Sequence, residues 1–289
     1  MGYPAEMQRV CFYHAGCPDG FGAAWAVWRR WGEEARYVPR GHDDALDPGA
    51  LRDAQVVFVD ISPPNDALRS LVEAAQQVLV LDHHVSARDR FVAEPDLVSA
   101  VERGGHRVHF DLDHCGSVLA WRHFHPGEEV PELLAFVEDQ DLWQWRLPKS
   151  REVNAAVGSY PRSFPAWEAL AATPTGQLAA EGISIVRAQR ADIDQALQNA
   201  HPVWLGSYRV EAVNAVQQRS QIGHELASRS RFGVPCGLVY RITGLRVDCS
   251  VYSIGEFDVA RIASDRGGGG HRNAAGFSIP LEDWLDQNV

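Results

Sequence analysis

Three apolar runs, each closed by a carboxylate or an imidazole, constrain this chain more than any other feature. VCFYH ends in His14, VVFVD ends in Asp60, and VLVLDHH ends in Asp82, His83 and His84. Runs this apolar, without polar alternation, suit strands buried on both faces of a parallel sheet. Residues 8–14, 55–60 and 77–82 therefore read as strands, with a short extended piece at 35–39. Helical segments are expected at 20–31, at 65–76 with Asn65 as its N-cap, and at 116–125 and 131–140. The expected fold class is α/β, opening with a doubly wound parallel sheet.

In such a sheet the carboxyl ends of the strands converge on one crevice. Asp and His from distant parts of the chain would meet there, with Asp19 five residues beyond His14. Any one strand-end aspartate could merely cap the next turn. Three strand ends doing this together point to a metal-binding edge, because carboxylates and imidazoles are the ligands of Mn²⁺ and similar ions. The adjacent histidines His83 and His84 point in different directions. One can bind metal while the other faces substrate or a carboxylate, and the residues alone leave both assignments open. Asp139 and Asp141 offer further carboxylates after a helical stretch, with a solvated helix end as the plainer reading.

Beyond the first half the character shifts. Residues 181–199 have helical periodicity and lead to His201-Pro202, which ends the helix. Strand-like runs follow at 208–213, 236–242 and 247–252. Next comes the run Gly267, Gly268, Gly269, Gly270, followed by His271, Arg272 and Asn273. Glycines let backbone amides approach an anion closely, and a nest of amides binds phosphate oxygens. Residues 274–276 are expected to open a helix whose positive end faces the same anion. His271 and Arg272 add donors, and arginine can grip phosphate in bidentate fashion. Trp143, Trp145 and Tyr252 are candidates to stack on a base, with core packing as the competing reading.

Charge narrows the partners. The net charge is −11, and residues 205–289 carry nine Arg against nine Asp/Glu, so the excess lies entirely in residues 1–204. An acidic body argues against long nucleic acid, whose binding rests on phosphate neutralisation. A small anionic substrate held through bound cations stays open. No apolar run approaches the roughly 18 residues of a membrane span, and the first ten residues lack a signal-peptide layout. A cytoplasmic protein with no membrane partner is expected. Five widely spaced cysteines, with no CxxC pair, argue against a disulfide framework or a thiolate zinc site.

These residues resemble the DHH phosphoesterase superfamily with a C-terminal DHHA1 domain. Asp82-His83-His84 is similar to the motif that names the family. HAGCPDG, from His14 to Gly20, is similar to its first motif, Asp60 matches the aspartate of the second, and DVARIASDRGGGGHRNAAGF resembles the DHHA1 signature. The resemblance implies a catalytic domain over 1–178, a linking helix over 179–204 and a smaller α/β substrate-binding domain over 205–289, with the active site in the cleft between domains. It implies two divalent ions, usually Mn²⁺, with Mg²⁺ or Co²⁺ as alternatives. The implied ligands are His14, Asp19, Asp60 as the bridge, His83, and either Asp141 or Asp139. His84 would sit near the scissile phosphate, with Asp82 beside it. Gly267 to Asn273 would grip the substrate. Many members carry an aspartate where this chain has Gly16. Cys17 either stands in as a soft ligand or packs behind the site.

The implied chemistry is hydrolysis of a phosphoester or phosphoanhydride. The first-choice substrate is an oligonucleotide a few residues long, followed by nucleotide bisphosphate, cyclic dinucleotide and polyphosphate. A nucleotide-binding sensor without catalysis is the alternative of a different class, and tRNA contact by the DHHA1 region is a third. A homodimer is left open.

Overall fold

A computed structural model describes residues 7–41 and 44–288. The first six residues, part of the segment judged against a signal peptide, lie outside the described residues. The chain divides into two compact units, Met1–Val186 and Arg187–Val289.

The first unit runs β1 (Arg9–His14), α1 (Pro18–Trp31), β2 (Ala35–Arg40), β3 (Gln55–Val59), α2 (Asn65–Ala74), β4 (Gln77–Asp82), α3 (Val85–Val92), α4 (Pro95–Arg103) and β5 (Arg107–Phe110). It continues through α5 (Gly116–Phe124), α6 (Glu132–Asp141), α7 (Ser150–Ser159), α8 (Phe164–Ala172) and the start of α9 (Thr175–Leu197). The five strands form one sheet in the order β2-β1-β3-β4-β5, and every pairing is parallel.

The apolar runs now have a physical reason. Successive side chains on a strand point to opposite faces. Cys11, Val57, Val59, Leu79 and Leu81 join one core with Trp25, Leu134 and Trp167. Val10, Phe12, Val56, Phe58, Val78 and Val80 join another with Leu71, Phe91 and Leu97. Helices cover both faces, so neither parity can be polar. Each such side chain, fully buried, contributes roughly 1.5–3 kcal/mol. Because β1 lies between β2 and β3, the winding reverses between β1 and β3. That is where ligands bind in open α/β sheets.

The second unit takes the rest of α9, then β6 (His201–Leu205), β7 (Tyr208–Asn214), α10 (Arg219–Arg229), β8 (Cys236–Thr243), β9 (Arg246–Ser253), α11 (Val259–Ser264), β10 (Gly269–His271), β11 (Ala274–Pro280) and α12 (Leu281–Asn288). Its sheet is mixed, in the order β10-β11-β9-β8-β7-β6, with only β7 and β8 parallel. Leu238, Cys249 and Val251 pack with Val259, Ala263 and Trp284 on one face. Val213 and Val239 pack with Ile222 and Leu226 on the other. The fold is α/β, as the alternation of strand and helix patterns suggests. No described helix is long and apolar enough to cross a membrane.

Two local expectations are corrected. Asn65 does not cap α2: Pro64 occupies that position, and the Asn65 amide donates to Arg90 O at 2.9 Å and Glu94 Oε1 at 2.8 Å. Asn65 is buried, so its polar group is used across to the end of α3 rather than on its own helix. Residues 274–276 open strand β11 rather than a helix, since their backbone pairs with β9 from Ala274↔Tyr252 onward. Tyr252 is half-buried and packs against the cluster of Ile222 and Leu226.

Candidate metal centre

The centre is built at the carboxyl ends of β1, β3 and β4. His14 is the last residue of β1, Asp60 directly follows β3, and Asp82 closes β4. Asp60 adopts a left-handed backbone with φ of 58°. That conformation is uncommon outside glycine, though aspartate is enriched in it, and it marks a site where the surrounding structure holds strain.

The chain then delivers Asp19 on the first turn of α1. Pro18 starts that helix and the Cys17 thiol caps it, accepting from Gly20 N at 3.2 Å. Gly20 is required: a Cβ there would lie 2.2 Å from His14 O. Asp19 reaches across to the start of α5, accepting from Gly116 N at 2.7 Å and Ser117 N at 2.9 Å. Those amides belong to the positive end of a helix. Gly116 is also required, because its Cβ would fall 2.4 Å from Asp60 Cβ.

Among the described residues of the first unit, two ligand groups result. His14, Asp60 and His84 form one, and Asp19, His83 and Asp141 form the other; within each, the ligand atoms lie within 4.8 Å of one another. Asp60 joins them. Its Oδ2 is 3.3 Å from His14 Nδ1, and its Oδ1 is 3.1 Å from His83 Nε2. His83 Nε2 also lies 3.8 Å from Asp19 Oδ2 and 3.6 Å from Asp141 Oδ2. One carboxylate therefore turns one oxygen to each group, as a bridging ligand does.

The electrostatics follow from this crowding of carboxylates. Burial, then the charges of Asp60 and Asp141, push the Asp19 carboxyl well above the usual carboxylate range. Burial would push the His83 imidazole down, but its hydrogen bond to Asp60 and the charges of Asp141, Asp60 and Asp19 hold it up at about 10. Burial likewise opposes ionisation of Asp60, yet bonds from His14 and His83 hold it well below its ordinary value. Three carboxylates around one buried imidazole carry more negative charge than the protein offsets. Divalent cations would relieve that repulsion, and an oxygen and imidazole donor set suits them. The residues therefore fit two metal ions.

Behind the ligands lies a support layer. Asp82 sits in the candidate catalytic set, but its carboxylate is taken up by hydrogen bonds. Oδ1 accepts from His83 N at 2.8 Å, His84 N at 3.2 Å and His84 Nδ1 at 2.7 Å, and Oδ2 accepts from Ser62 Oγ at 2.6 Å. Burial raises its pKa, but the His84 charge and the bonds from His84 and Ser62 hold it at about 2. Asp82 is thus a positioning residue that orients His84. Burial lowers the His84 imidazole, and the Asp82 charge and hydrogen bond overcome this and raise it. The bond through Nδ1 fixes the orientation of the His84 ring.

Cys17 Sγ lies 3.5 Å from His14 Nδ1 and donates to Asp60 Oδ2 at 3.3 Å. Burial, then the charges of Asp60 and Asp19, raise this thiol well above the usual range. Asp139 and Asp141 separate cleanly. Asp139 is buried, and its oxygens accept from Arg146 N at 2.8 Å and Leu147 N at 3.3 Å. Asp141 faces His83 with its side chain 28% exposed. Asp139 therefore shapes a loop, which corrects its place among the ligands.

In the second unit, Gly267 N donates to Ser264 O at 3.0 Å and Gly268 N to Ala263 O at 2.9 Å. Those amides close α11, so they are not part of an anion nest, contrary to expectation. Gly269, Gly270 and His271 pair antiparallel with Gly276, Ala275 and Ala274. Gly270 has φ of 142°, and its Cβ would lie 2.6 Å from Ala274 O. Arg272 pairs with exposed Glu256 at 2.5 Å. The Asn273 amide donates to Ser253 Oγ at 2.9 Å and Gly255 O at 3.0 Å, which fixes the turn.

Sequence reading missed Ser62, the α5 amides and the two glycines. Gly20, closing the first motif, and Gly116 both stood at expected helix starts, but their close approaches were not readable.

No family model matches the chain. A protein of Acanthamoeba polyphaga mimivirus of uncharacterised function is 26% identical over 300 residues, covering 93% of this chain and 67% of that protein. Two solved structures are similar at 12% identity. One is a pGpG-specific phosphodiesterase from Vibrio cholerae, with a TM-score of 0.47 over 96% of this chain and 94% of that one. The other is an exopolyphosphatase-related protein from Bacteroides fragilis, with a TM-score of 0.44 over 97% and 90%.

Proposed function

We propose that this chain is a two-metal phosphoesterase of the DHH superfamily, acting in the cytoplasm on phosphodiester bonds of short oligonucleotides. The observation that carries the reading is Asp60, whose two oxygens face separate ligand groups. The motif order His14–Gly20, Asp60, Asp82–His84 and Gly267–Asn273 supports it from the sequence.

His14, Asp60 and His84 would hold one ion, and Asp19, Asp60, His83 and Asp141 the other. Mn²⁺ is the first choice. Bound there, the pair supplies Lewis-acid activation and neutralises charge at the phosphoryl group. His84 Nε2 then protonates the leaving oxygen or donates to the phosphoryl group, with Asp82 holding the ring through Nδ1. Asp19 stays fixed by the α5 amides, which lowers the reorganisation needed during reaction. Cys17 caps α1 and steers Asp60 rather than ligating. The glycine hairpin with His271 and Arg272 is assigned a grip on phosphate within the second unit.

The test is mononucleotide or phosphate release by metal-stripped protein given Mn²⁺, with RNA dimers to heptamers, nucleotide bisphosphate and polyphosphate in parallel. Mn²⁺-dependent release from short RNA is the expected outcome. Release from polyphosphate alone would replace the substrate and keep the centre. Metal binding without hydrolysis of any of them, cyclic dinucleotides included, would make the chain a sensor.

A further inference from the structure

Helix α5 begins against the metal centre without a cap of its own. Its N-cap residue, Cys115, makes no side-chain cap hydrogen bond. The first amides of a helix find no partner within it. Two carboxylates from other helices supply one here. Asp19 of α1 takes Gly116 N and Ser117 N, and Glu138 of α6 takes Cys115 N at 3.0 Å through Oε2. The same oxygen lies 3.2 Å from His114 Nδ1. Three successive amides at the positive end of α5 are thus held by α1 and α6 together.

The origin of Glu138 sets it apart from an ordinary cap. It stands on the last turn of α6, three residues before Asp141, and residues so spaced are neighbours on a helix surface. The turn that carries Asp141 therefore also grips the helix whose amides fix Asp19 and whose Gly116 abuts Asp60. Asp141 and Asp19 approach His83 from these elements, with oxygens 3.6 Å and 3.8 Å from its Nε2. Val118 and Trp121 of α5 share a core with Leu134 and Val137 of α6. Apolar contact is non-directional and lets one helix slide on another, whereas a hydrogen bond has a set distance and angle.

We propose that Glu138 is a positioning residue of the metal centre. By holding Cys115 N it fixes the start of α5 against the last turn of α6, and so sets where Asp19 and Asp141 stand about His83. This rests on the two-metal reading and adds to it a residue outside both ligand groups. Ligand atoms must lie within about 0.2 Å of their ideal distances, so a small slip of α6 against α5 acts on the ion of Asp19, His83 and Asp141. The ion of His14, Asp60 and His84 is held from strand ends and is affected less.

The test is calorimetric titration of the metal-stripped full chain with Mn²⁺, for wild type, Glu138→Leu and Glu138→Gln. Leucine keeps the bulk and removes the acceptor, while glutamine keeps an acceptor for Cys115 N. Loss of one helix cap leaves a domain folded, which a melt of each metal-free variant checks. Wild type should take two ions. Glu138→Leu should bind one of them about tenfold to a hundredfold more weakly, the range for a lost support behind a ligand, with the other nearly unchanged. Glu138→Ala should repeat that result, so the outcome does not hang on the fit of leucine. Glu138→Gln should recover most of the affinity. The role is overturned if Glu138→Leu and Glu138→Ala match wild type, if both ions weaken alike, or if glutamine recovers nothing. Wild type that takes up no second ion would instead remove the two-metal reading itself.

Discussion

The two candidate functional regions are built from opposite materials. The metal centre is made of side chains: His14, Asp19, Asp60, His83 and Asp141 come from β1, α1, the end of β3, the end of β4 and α6, and crowd like charges together. The glycine hairpin of the second unit is made of backbone, with Gly269 and Gly270 laddered to β11 and the amides of Gly267 and Gly268 closing α11. The first region concentrates charge of one sign, whereas the backbone groups of the second are paired internally. Substitutions should therefore act on chemistry in one region and on substrate affinity in the other.

The largest effect is expected at Asp60. Asp60→Asn should lower Mn²⁺-dependent hydrolysis on the order of a thousandfold, comparable to loss of a principal transition-state group, with the fold retained. Rates and bound metal, measured together, check it. Retention of more than a tenth of the activity would break the bridging assignment.

Next comes the contrast between Asp141 and Asp139. Asp141→Asn should lose metal and activity while the metal-free protein melts no lower, since one repelling charge is gone. Asp139→Asn should instead destabilise by about 1–3 kcal/mol, because the backbone amides of Arg146 and Leu147 lose the charged acceptor that a buried side chain supplies. Thermal melts with and without Mn²⁺ separate the two.

Gly116→Ala should act through position. A Cβ 2.4 Å from Asp60 Cβ forces a shift, costing about 1–3 kcal/mol as overpacking. Displacement of the bridge by as much as 1 Å would slow turnover by up to about a hundredfold. Unchanged kinetics would show that α5 has room to move.

The smallest effect is expected in the second region. Arg272→Ala removes a pairing with exposed Glu256 that contributes little to stability. It should raise KM severalfold with kcat nearly unchanged. A fall in kcat instead would mean that the hairpin takes part in chemistry.

How much of this was legible follows from where information sits in a chain. The strands were readable because both faces of β1, β3 and β4 are buried, so after the polar first residues Arg9, Gln55 and Gln77 the runs stay apolar until the ligand. His14, Asp60 and His83 were readable because each stands at a strand end, whereas Asp19 and Asp141 lie on α1 and α6. Asp139 and Asp141 could not be told apart, since two residues of separation say nothing about which carboxylate a turn of α6 aims at His83. The α5 amides that hold Asp19 were invisible, because the contact joins residues 97 and 98 apart and uses backbone. Residues 274–276 looked like a helix start because Ala-Ala-Gly carries no strand signal. Pairing with β9 overrode local propensity there.

The most direct test of the central claim is an electron paramagnetic resonance titration of the metal-stripped chain with Mn²⁺. A shared Asp60 carboxylate should give two ions per chain at saturation, with an exchange-coupled signal that appears as the second ion enters and is absent in Asp60→Asn. A single uncoupled Mn²⁺ at saturation, or a coupled pair that survives Asp60→Asn, would contradict it.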